Sequence, residues 1–287
     1  MKLVMNLDEV AHNFDVSLEF MHNYNLDHCE LRLLDEKNIA LLEEHECLHY
    51  KNKLIENNMK AVAIASPIFK WYKNTDDDEI LSIDNFGINP KLSFEEQDKV
   101  IQRTLKNADL FNINKIRIFS FLQNKANSGD IEGFFEDYHV NKLINLPYEF
   151  LIENELVCNI YSKSHLIQVS DYIDKNRLNN VKIWLDIANL YRNNEYIDVS
   201  FIRKIKHNIG YVHCKDYKVI GDNGQIEFVP LGNGILDYHY LLNLLNSELN
   251  KETIVSIETH APFEDVKYTS SGKSITQFRK IMEGLND

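Results

Sequence analysis

The chain has 287 residues, 44% hydrophobic and 26% charged, with a formal net charge of −13. That is globular composition at a length that suits one α/β barrel. The acidic balance opposes a phosphate backbone, so nucleic acid is not an expected partner. The opening run MKLVMNLDEV carries acidic residues where a signal peptide would be apolar, and no apolar run reaches bilayer length. No membrane association is expected. Four cysteines, Cys29, Cys47, Cys158 and Cys214, stand far apart without a C-x-x-C pair. Reduced thiols in a cytoplasmic protein are the expectation.

Eight β-rich runs follow one another, most of them separated by helix-like stretches. They are KLVMN from Lys2, HCELRLL from His28, KAVAIAS from Lys60, KIRIFSF from Lys115, YEFLIEN from Tyr148, VKIWLDIAN from Val181, IGYVHCKD from Ile209 and TIVSIETH from Thr253. Strands alternating with helices imply βαβ units and a parallel sheet. Eight of them predict an α/β fold, a single (β/α)8 TIM barrel spanning 1–287 as one domain. An open doubly wound sheet is disfavoured, because no G-x-G-x-x-G follows any of these runs.

On strand 2, Glu30 and Arg32 share a parity, which suits an internal ion pair or a polar site wall. Between strands 2 and 3 lies HECLH, His45 to His49, which has the H-E-x-x-H form of zinc proteases. Its extended form fails, because Asn52 stands where Gly is required and Ile55 where His is required. In a barrel this string lies on an outer helix. Leu41, Leu42 and Leu48 are then predicted to face the sheet, and Glu44, His45 and His49 to face solvent.

After strand 3 comes ASPIFK, where Lys70 can hold a carboxylate, phosphate or enediolate, or be a solvated loop lysine. Phe69 and Trp71 beside it can wall a ligand site or simply pack. Two connections are long: Asn74 to Leu92 after strand 3, and Tyr217 to Leu236 after strand 7. Both belong to the face where barrel enzymes work. The second holds Gly232 and Gly234, in a region where many barrels bind phosphate, although a tight turn explains them equally. Ser93 with Glu96 forms a capping box for a helix to about Leu110, and Asp237 caps YHYLLNLLNSEL.

Late in strands 5 to 8 one pattern recurs. Glu153, Asp186, His213 and Glu258 each follow an apolar residue, Ile152, Leu185, Val212 and Ile257. Side-chain alternation turns the apolar member outward and the ligand type inward. Four inward ionisable groups at one barrel mouth would desolvate and repel one another without a cation. Three carboxylates and an imidazole suit one divalent ion, Mn, Mg, Co or Zn.

These runs resemble the xylose isomerase-like TIM barrels. That superfamily includes the sugar phosphate isomerase/epimerase family, 3-epimerases, hydroxypyruvate isomerases, inosose dehydratases and endonuclease IV-type enzymes. IENE at Glu153, LDIAN at Asp186, YVHCKD at His213, VPLGNGILD from Val229 and SIET at Ser256 follow in the family's order. CELR, ASPIFK and IRIFSF match its first half. The resemblance implies a metal on Glu153, Asp186, His213 and Glu258, with Glu153 and Glu258 also moving the proton. It implies an isomerase or epimerase acting on a sugar, keto-sugar or related polyol through a metal-stabilised enediolate. A dehydratase of a keto-polyol such as an inosose shares that first step.

Asn189 replaces the histidine found three residues after the strand-6 aspartate in 3-epimerases. Their arginine after the strand-7 histidine is also absent. The H-x-K-D form, with Lys215 and Asp216, looks more like the dehydratase and uncharacterised isomerase branches. Lys215 shares the parity of His213 and can reach substrate, and His260 shares that of Glu258. Asp216, of opposite parity, is expected to orient a neighbour. The expected substrate contacts are therefore Lys70, Asn189, Lys215 and His260. The extra histidines of a three-zinc nuclease are missing. A barrel that binds sugar or metal without turnover, and assembly as a homo-oligomer, stay open.

Overall fold

The computed structural model describes residues 1–74, 86–123, 129–221, 224–261 and 263–285. Eight parallel strands close a barrel. They are β1 (Lys2–Asn6), β2 (His28–Leu31), β3 (Lys60–Ile64), β4 (Lys115–Ile118), β5 (Glu149–Glu153), β6 (Val181–Asp186), β7 (Ile209–Cys214) and β8 (Ile254–Ile257). Each strand pairs with its sequence neighbours, and β8 returns to β1. This is the expected (β/α)8 TIM barrel.

Alternation along the strands sorts the core into two layers. Leu151, Trp184, Tyr211 and Ile254 point inward and cluster with Val4, Ala63 and Ala65. The rings of Trp184 and Tyr211 stack with centroids 3.7 Å apart, which the small alanines opposite permit. Ile152, Leu185, Val212 and Ile257 join the larger layer under the helices. Two residues beyond the interior plug, the same inward parity brings up Glu153, Asp186 and His213.

Helix boundaries follow local chemistry. Ser93 Oγ accepts from the Glu96 amide, and Glu96 reaches back to the Ser93 amide, opening the helix Phe94–Phe111. Asp237 accepts from the Tyr240 amide at the start of Tyr238–Glu248. The HECLH string lies on the outer helix Glu44–Glu56, with His45 and His49 exposed. Leu42 is buried as expected, but Leu48 is 42% exposed. The helix begins only at Glu44, so its buried stripe runs through Cys47, Tyr50 and Leu54, and Leu48 falls off it.

Several runs are shorter than the sequence predicts. β2 ends at Leu31, and Leu33–Leu34 turns into a small hairpin with Lys37–Asn38. β6 ends at Asp186, whose side chain caps the helix Ile187–Arg192. The connection after β7 is not an irregular loop. Asp216–Ile220 and Gln225–Val229 form an antiparallel hairpin. Of the connection after β3, residues 75–85 lie outside the described residues. No helix among the described residues is long and apolar enough to cross a membrane.

Candidate metal centre

Glu153 and Asp186 are the last residues of β5 and β6, His213 is the penultimate residue of β7, and Glu258 follows β8 directly. The four come from consecutive staves of the barrel. One ligand atom from each lies within 4.8 Å of the others, and all four residues are buried. His213 Nδ1 is 3.2 Å from Glu153 Oε1, 3.3 Å from Glu258 Oε2 and 3.9 Å from Asp186 Oδ2.

The imidazole is aimed from behind. His213 Nε2 lies 3.0 Å from Glu30 Oε2, which also accepts from the Tyr211 hydroxyl at 2.8 Å. A proton held on Nε2 by that carboxylate leaves the Nδ1 lone pair facing the other three ligand types. Glu30 and Arg32 therefore form no ion pair with each other. Arg32, just past the end of β2, turns instead to Asp8 at 2.6 Å, to Glu9, and to Glu258 Oε1 at 2.6 Å.

Arg117 supports Glu153. Its Nη1 lies 3.0 Å from Glu153 Oε2, while its other nitrogens donate to the carbonyls of Ser66 and Ala65. Its guanidinium lies over the rings of Phe119 and Trp184, 4.6 and 5.8 Å from their centroids. Asn154 and Asp186 exchange bonds: the Asp186 amide donates to Asn154 Oδ1 at 2.8 Å, and Asn154 Nδ2 donates to the Asp186 carbonyl at 2.9 Å.

Burial opposes charge on every one of these groups, and at Glu153, Glu258 and His213 the charged neighbours outweigh it. Burial would raise the Glu153 carboxyl, but Arg117 and His213 bring it down to about 2. Burial would raise Glu258 too, yet Lys215, His260 and His213 hold it well below its ordinary value. Burial wins at Asp186, which stays raised despite Lys215. Burial alone would lower the His213 imidazole, but Glu30, Glu258 and Glu153 raise it well above normal. The cluster favours positive charge at its centre. Asp186 Oδ2 is buried and receives no hydrogen bond of normal geometry, although Lys215 Nζ is 2.8 Å away. An acceptor turned inward among two glutamates and an imidazole fits a divalent cation.

The other predicted contacts fall as follows. Lys215 is buried, with Nζ 2.8 Å from Asp186 and 2.9 Å from Glu258. His260 is half-buried, with Nε2 3.1 Å from Glu258 Oε2 and 3.4 Å from Lys215 Nζ. Asn189 is buried on the helix after β6 and donates to the Asn154 carbonyl, while its Oδ1 has no hydrogen-bond partner. Lys70 is no solvated loop lysine, since its side chain is 8% exposed. Phe69 and Trp71 are fully buried and pack edge to face.

Asp216 accepts from the amides of Tyr217, Gly232, Gly234 and Leu236 at 2.9, 2.9, 2.8 and 3.3 Å. The glycine turn therefore spends its donors on this carboxylate. A Cβ at Gly234 would come within 2.1 Å of Asp216 Oδ1 and 2.4 Å of the Tyr217 carbonyl, so a tight turn accounts for the glycine.

The sequence reading missed Arg117 and did not assign Glu30 or Arg32 to particular ligands. Their inward parity on β4 and β2 was available as a signal, but parity does not say which carboxylate a long cation will reach.

Residues 141–280 match the family model of the xylose isomerase-like TIM barrel. Among solved structures, the chain is similar to the probable 3-DHS dehydratase AsbF of Bacillus anthracis at 17% identity. That match covers 96% of this chain and 99% of that one, with a TM-score of 0.68. A D-tagatose 3-epimerase-like protein matches at 14% identity over 100% and 98% of the two chains, with a TM-score of 0.68. The IOLI protein, solved with a bound zinc atom, matches at 15% identity over 99% and 98%, with a TM-score of 0.64. At these identities the likeness is one of fold. No curated protein matches the sequence.

Proposed function

We propose that this chain, whose residues 141–280 match the xylose isomerase-like TIM barrel model, is a divalent-metal-dependent isomerase or epimerase of a sugar, keto-sugar or related polyol. The observation that carries the reading is the buried convergence of Glu153, Asp186, His213 and Glu258 at the strand ends. Structural neighbours described as an L-ribulose 3-epimerase and a 3-keto-D-glucoside 4-epimerase are of that class, while one described as a probable 3-DHS dehydratase is not.

Glu153, Asp186, His213 and Glu258 would hold the ion, and Mn, Mg, Co and Zn all suit the donor set. Bound there, a divalent ion supplies Lewis-acid polarisation of a substrate carbonyl and its neighbouring hydroxyl. Glu153 and Glu258 are the groups to take and return a proton at the carbon beside that carbonyl. Arg117 fixes the first of them, and Arg32 with Lys215 fixes the second. Lys215 and His260 stand where they can donate to a substrate oxygen.

A dehydratase is the second reading. It is favoured by the Lys215 ammonium between Asp186 and Glu258, which can protonate a departing hydroxyl.

The test has two arms. Purified protein is stripped with chelator and titrated with Mn²⁺, as wild type and as Glu153→Gln with Glu258→Gln. Metal affinity should collapse in the double variant; unchanged affinity removes the site. Solvent tritium is then followed into a panel of ketoses and inososes. Incorporation supports turnover, whereas binding without incorporation in any of them marks a non-enzymatic barrel.

A further inference from the structure

Asn6 is the last residue of β1 and is fully buried. Among the described residues, neither its Oδ1 nor its Nδ2 has a hydrogen-bond partner. It stands at the N-cap of the short 3-10 helix Leu7–Glu9, where an asparagine side chain ordinarily accepts from an amide of the first turn. Here that bond is not made. The strand sets the direction of the side chain instead. Val4 belongs to the inner cluster of the barrel, and Asn6, two residues on, has the same parity. Its amide therefore points into the barrel mouth.

Its neighbours place it in the centre described above. Asn6 is the register partner of Glu30, whose carboxylate lies 3.0 Å from His213 Nε2. On the other side, Met5 is the register partner of Ile257, and the next step along both chains sets Asn6 beside Glu258. Around the closed barrel, β1 stands opposite β5, the strand that ends in Glu153. Asn6 is thus next to one of the two glutamates proposed to move the proton and across the mouth from the other.

A buried amide without partners is destabilising, because it gives up its bonds to water and gains none. The cations of the mouth are not in that state, since Arg32, Arg117 and Lys215 are all bound to carboxylates. Asp186 Oδ2 and Asn189 Oδ1, on the β6 side, are also without hydrogen-bond partners, and both are acceptors. Asn6 adds an unpaired donor and a further unpaired acceptor on the opposite side.

We propose that Asn6 is a substrate-binding residue that holds a substrate oxygen on the Glu258 side of the mouth; this rests on the sugar or polyol reading given above. An amide suits the position because it donates and accepts without carrying charge. A carboxylate there would add repulsion to Glu30 and Glu258, and an ammonium would compete with Arg32 for Glu258. Nδ2 can donate to an oxygen on which negative charge gathers, and Oδ1 can accept from a hydroxyl. Stability given up in the empty protein in exchange for ligand contacts is a recurrent property of binding sites.

Three measurements on Asn6→Leu, which keeps the branched shape and removes both polar atoms, test this. The metal-free variant should melt at or above the wild-type temperature, because an unpaired polar group exchanged for an apolar one of similar shape is neutral or stabilising. Its Mn²⁺ affinity should match the wild type, since all four proposed ligands remain. Tritium incorporation from solvent is then followed at limiting concentration of the panel ketose or inosose that the wild type labels best. It should fall about ten- to a hundredfold, the cost of leaving a buried substrate group unpaired. Asn6→Ala repeats all three measurements if the leucine methyls prevent folding. A lower melting temperature in both variants marks an amide with a partner in the empty protein, another side chain or a bound water, and overturns the proposal. Loss of Mn²⁺ affinity overturns it too, by making Asn6 a support of the ion. Incorporation at the wild-type rate in either folded variant removes this proposal alone, whereas a wild type that incorporates no tritium removes the wider reading and this proposal with it.

Discussion

Glu30→Gln changes one atom group in a fully buried side chain and leaves every proposed metal ligand in place. In the wild type the carboxylate serves two donors, the Tyr211 hydroxyl at 2.8 Å and His213 Nε2 at 3.0 Å. Both donors converge on Oε2, and Oε1 also lies 3.3 Å from His213 Nε2, so a glutamine sets its amide nitrogen against the imidazole in either orientation. If Tyr211 keeps the oxygen, the imidazole relieves the donor–donor contact by moving its proton to Nδ1. That proton then points at Glu153 and Glu258, 3.2 and 3.3 Å away, and no lone pair is left for a metal. Loss of such an outer partner lowers metal affinity about ten- to a hundredfold, equivalent to about 1.4 to 2.8 kcal/mol. Competition between stripped protein and a fluorescent chelator for Mn²⁺ measures this, with circular dichroism to show the barrel intact. Tyr211→Phe is the control, because it removes a donor and keeps the Glu30 charge. Wild-type affinity in a folded Glu30→Gln protein would refute the assigned imidazole orientation.

Three further outcomes follow from the same geometry. Asp216→Ala leaves the amides of Gly232, Gly234 and Leu236 without their acceptor. Each such bond to a charged group is worth about 1.5 to 3 kcal/mol, so amide exchange over 216–236 should quicken while the barrel strands stay protected; unchanged exchange there refutes the capping role. Replacing His45 and His49 together by Ala should leave Mn²⁺ affinity and melting temperature at wild-type values, since both are exposed on the outer helix; loss of metal binding would restore the HECLH reading. Burial pushes the Cys47 thiol up to about 11 and raises Cys29 and Cys158 further. The thiolate is the reactive form and forms only near and above those values. Iodoacetamide at pH 8 should therefore label these cysteines only after urea unfolding, and rapid labelling of the folded protein would contradict their burial.

The sequence exposes what alternation controls. Outward Ile152, Leu185, Val212 and Ile257 and inward Glu153, Asp186 and His213 are two-residue periods of a strand, and the barrel keeps them. Strand ends are less legible. LDIAN reads as one β-rich run, yet Asp186 both ends β6 and caps the next helix, a switch set by one side-chain bond. The hairpin after β7 is similar, because YKVIGDNGQIEFV holds a glycine turn between apolar runs but also reads as loop within a βα connection. Long cations escape local reading altogether. Arg32 reaches Glu258 across 226 residues of sequence, and Arg117 serves Glu153 together with the carbonyls of Ser66 and Ala65 while lying over Phe119 and Trp184.

The two halves of the barrel divide the labour. The four proposed ligands all lie within residues 141–280, the part that matches the family model. Three of the groups that aim them lie outside it, Glu30 behind His213, Arg32 on Glu258 and Arg117 on Glu153, while Lys215 on Asp186 and Glu258 lies within it. Lys70 belongs to that first half too. Carboxylates and an imidazole are donor types that suit a divalent ion of this class, which limits the residues that can fill these positions. The orienting groups need only present a charge at a given point, and several elements can do that. Arg32 shows the freedom involved: it must satisfy Asp8, Glu9 and Glu258 at once, so its position depends on the turn after β1 as much as on β2. The part that carries the four proposed ligands is therefore the part that matches the family model. Glu30, Arg32 and Arg117, from the first half, find their partners only when the barrel is closed.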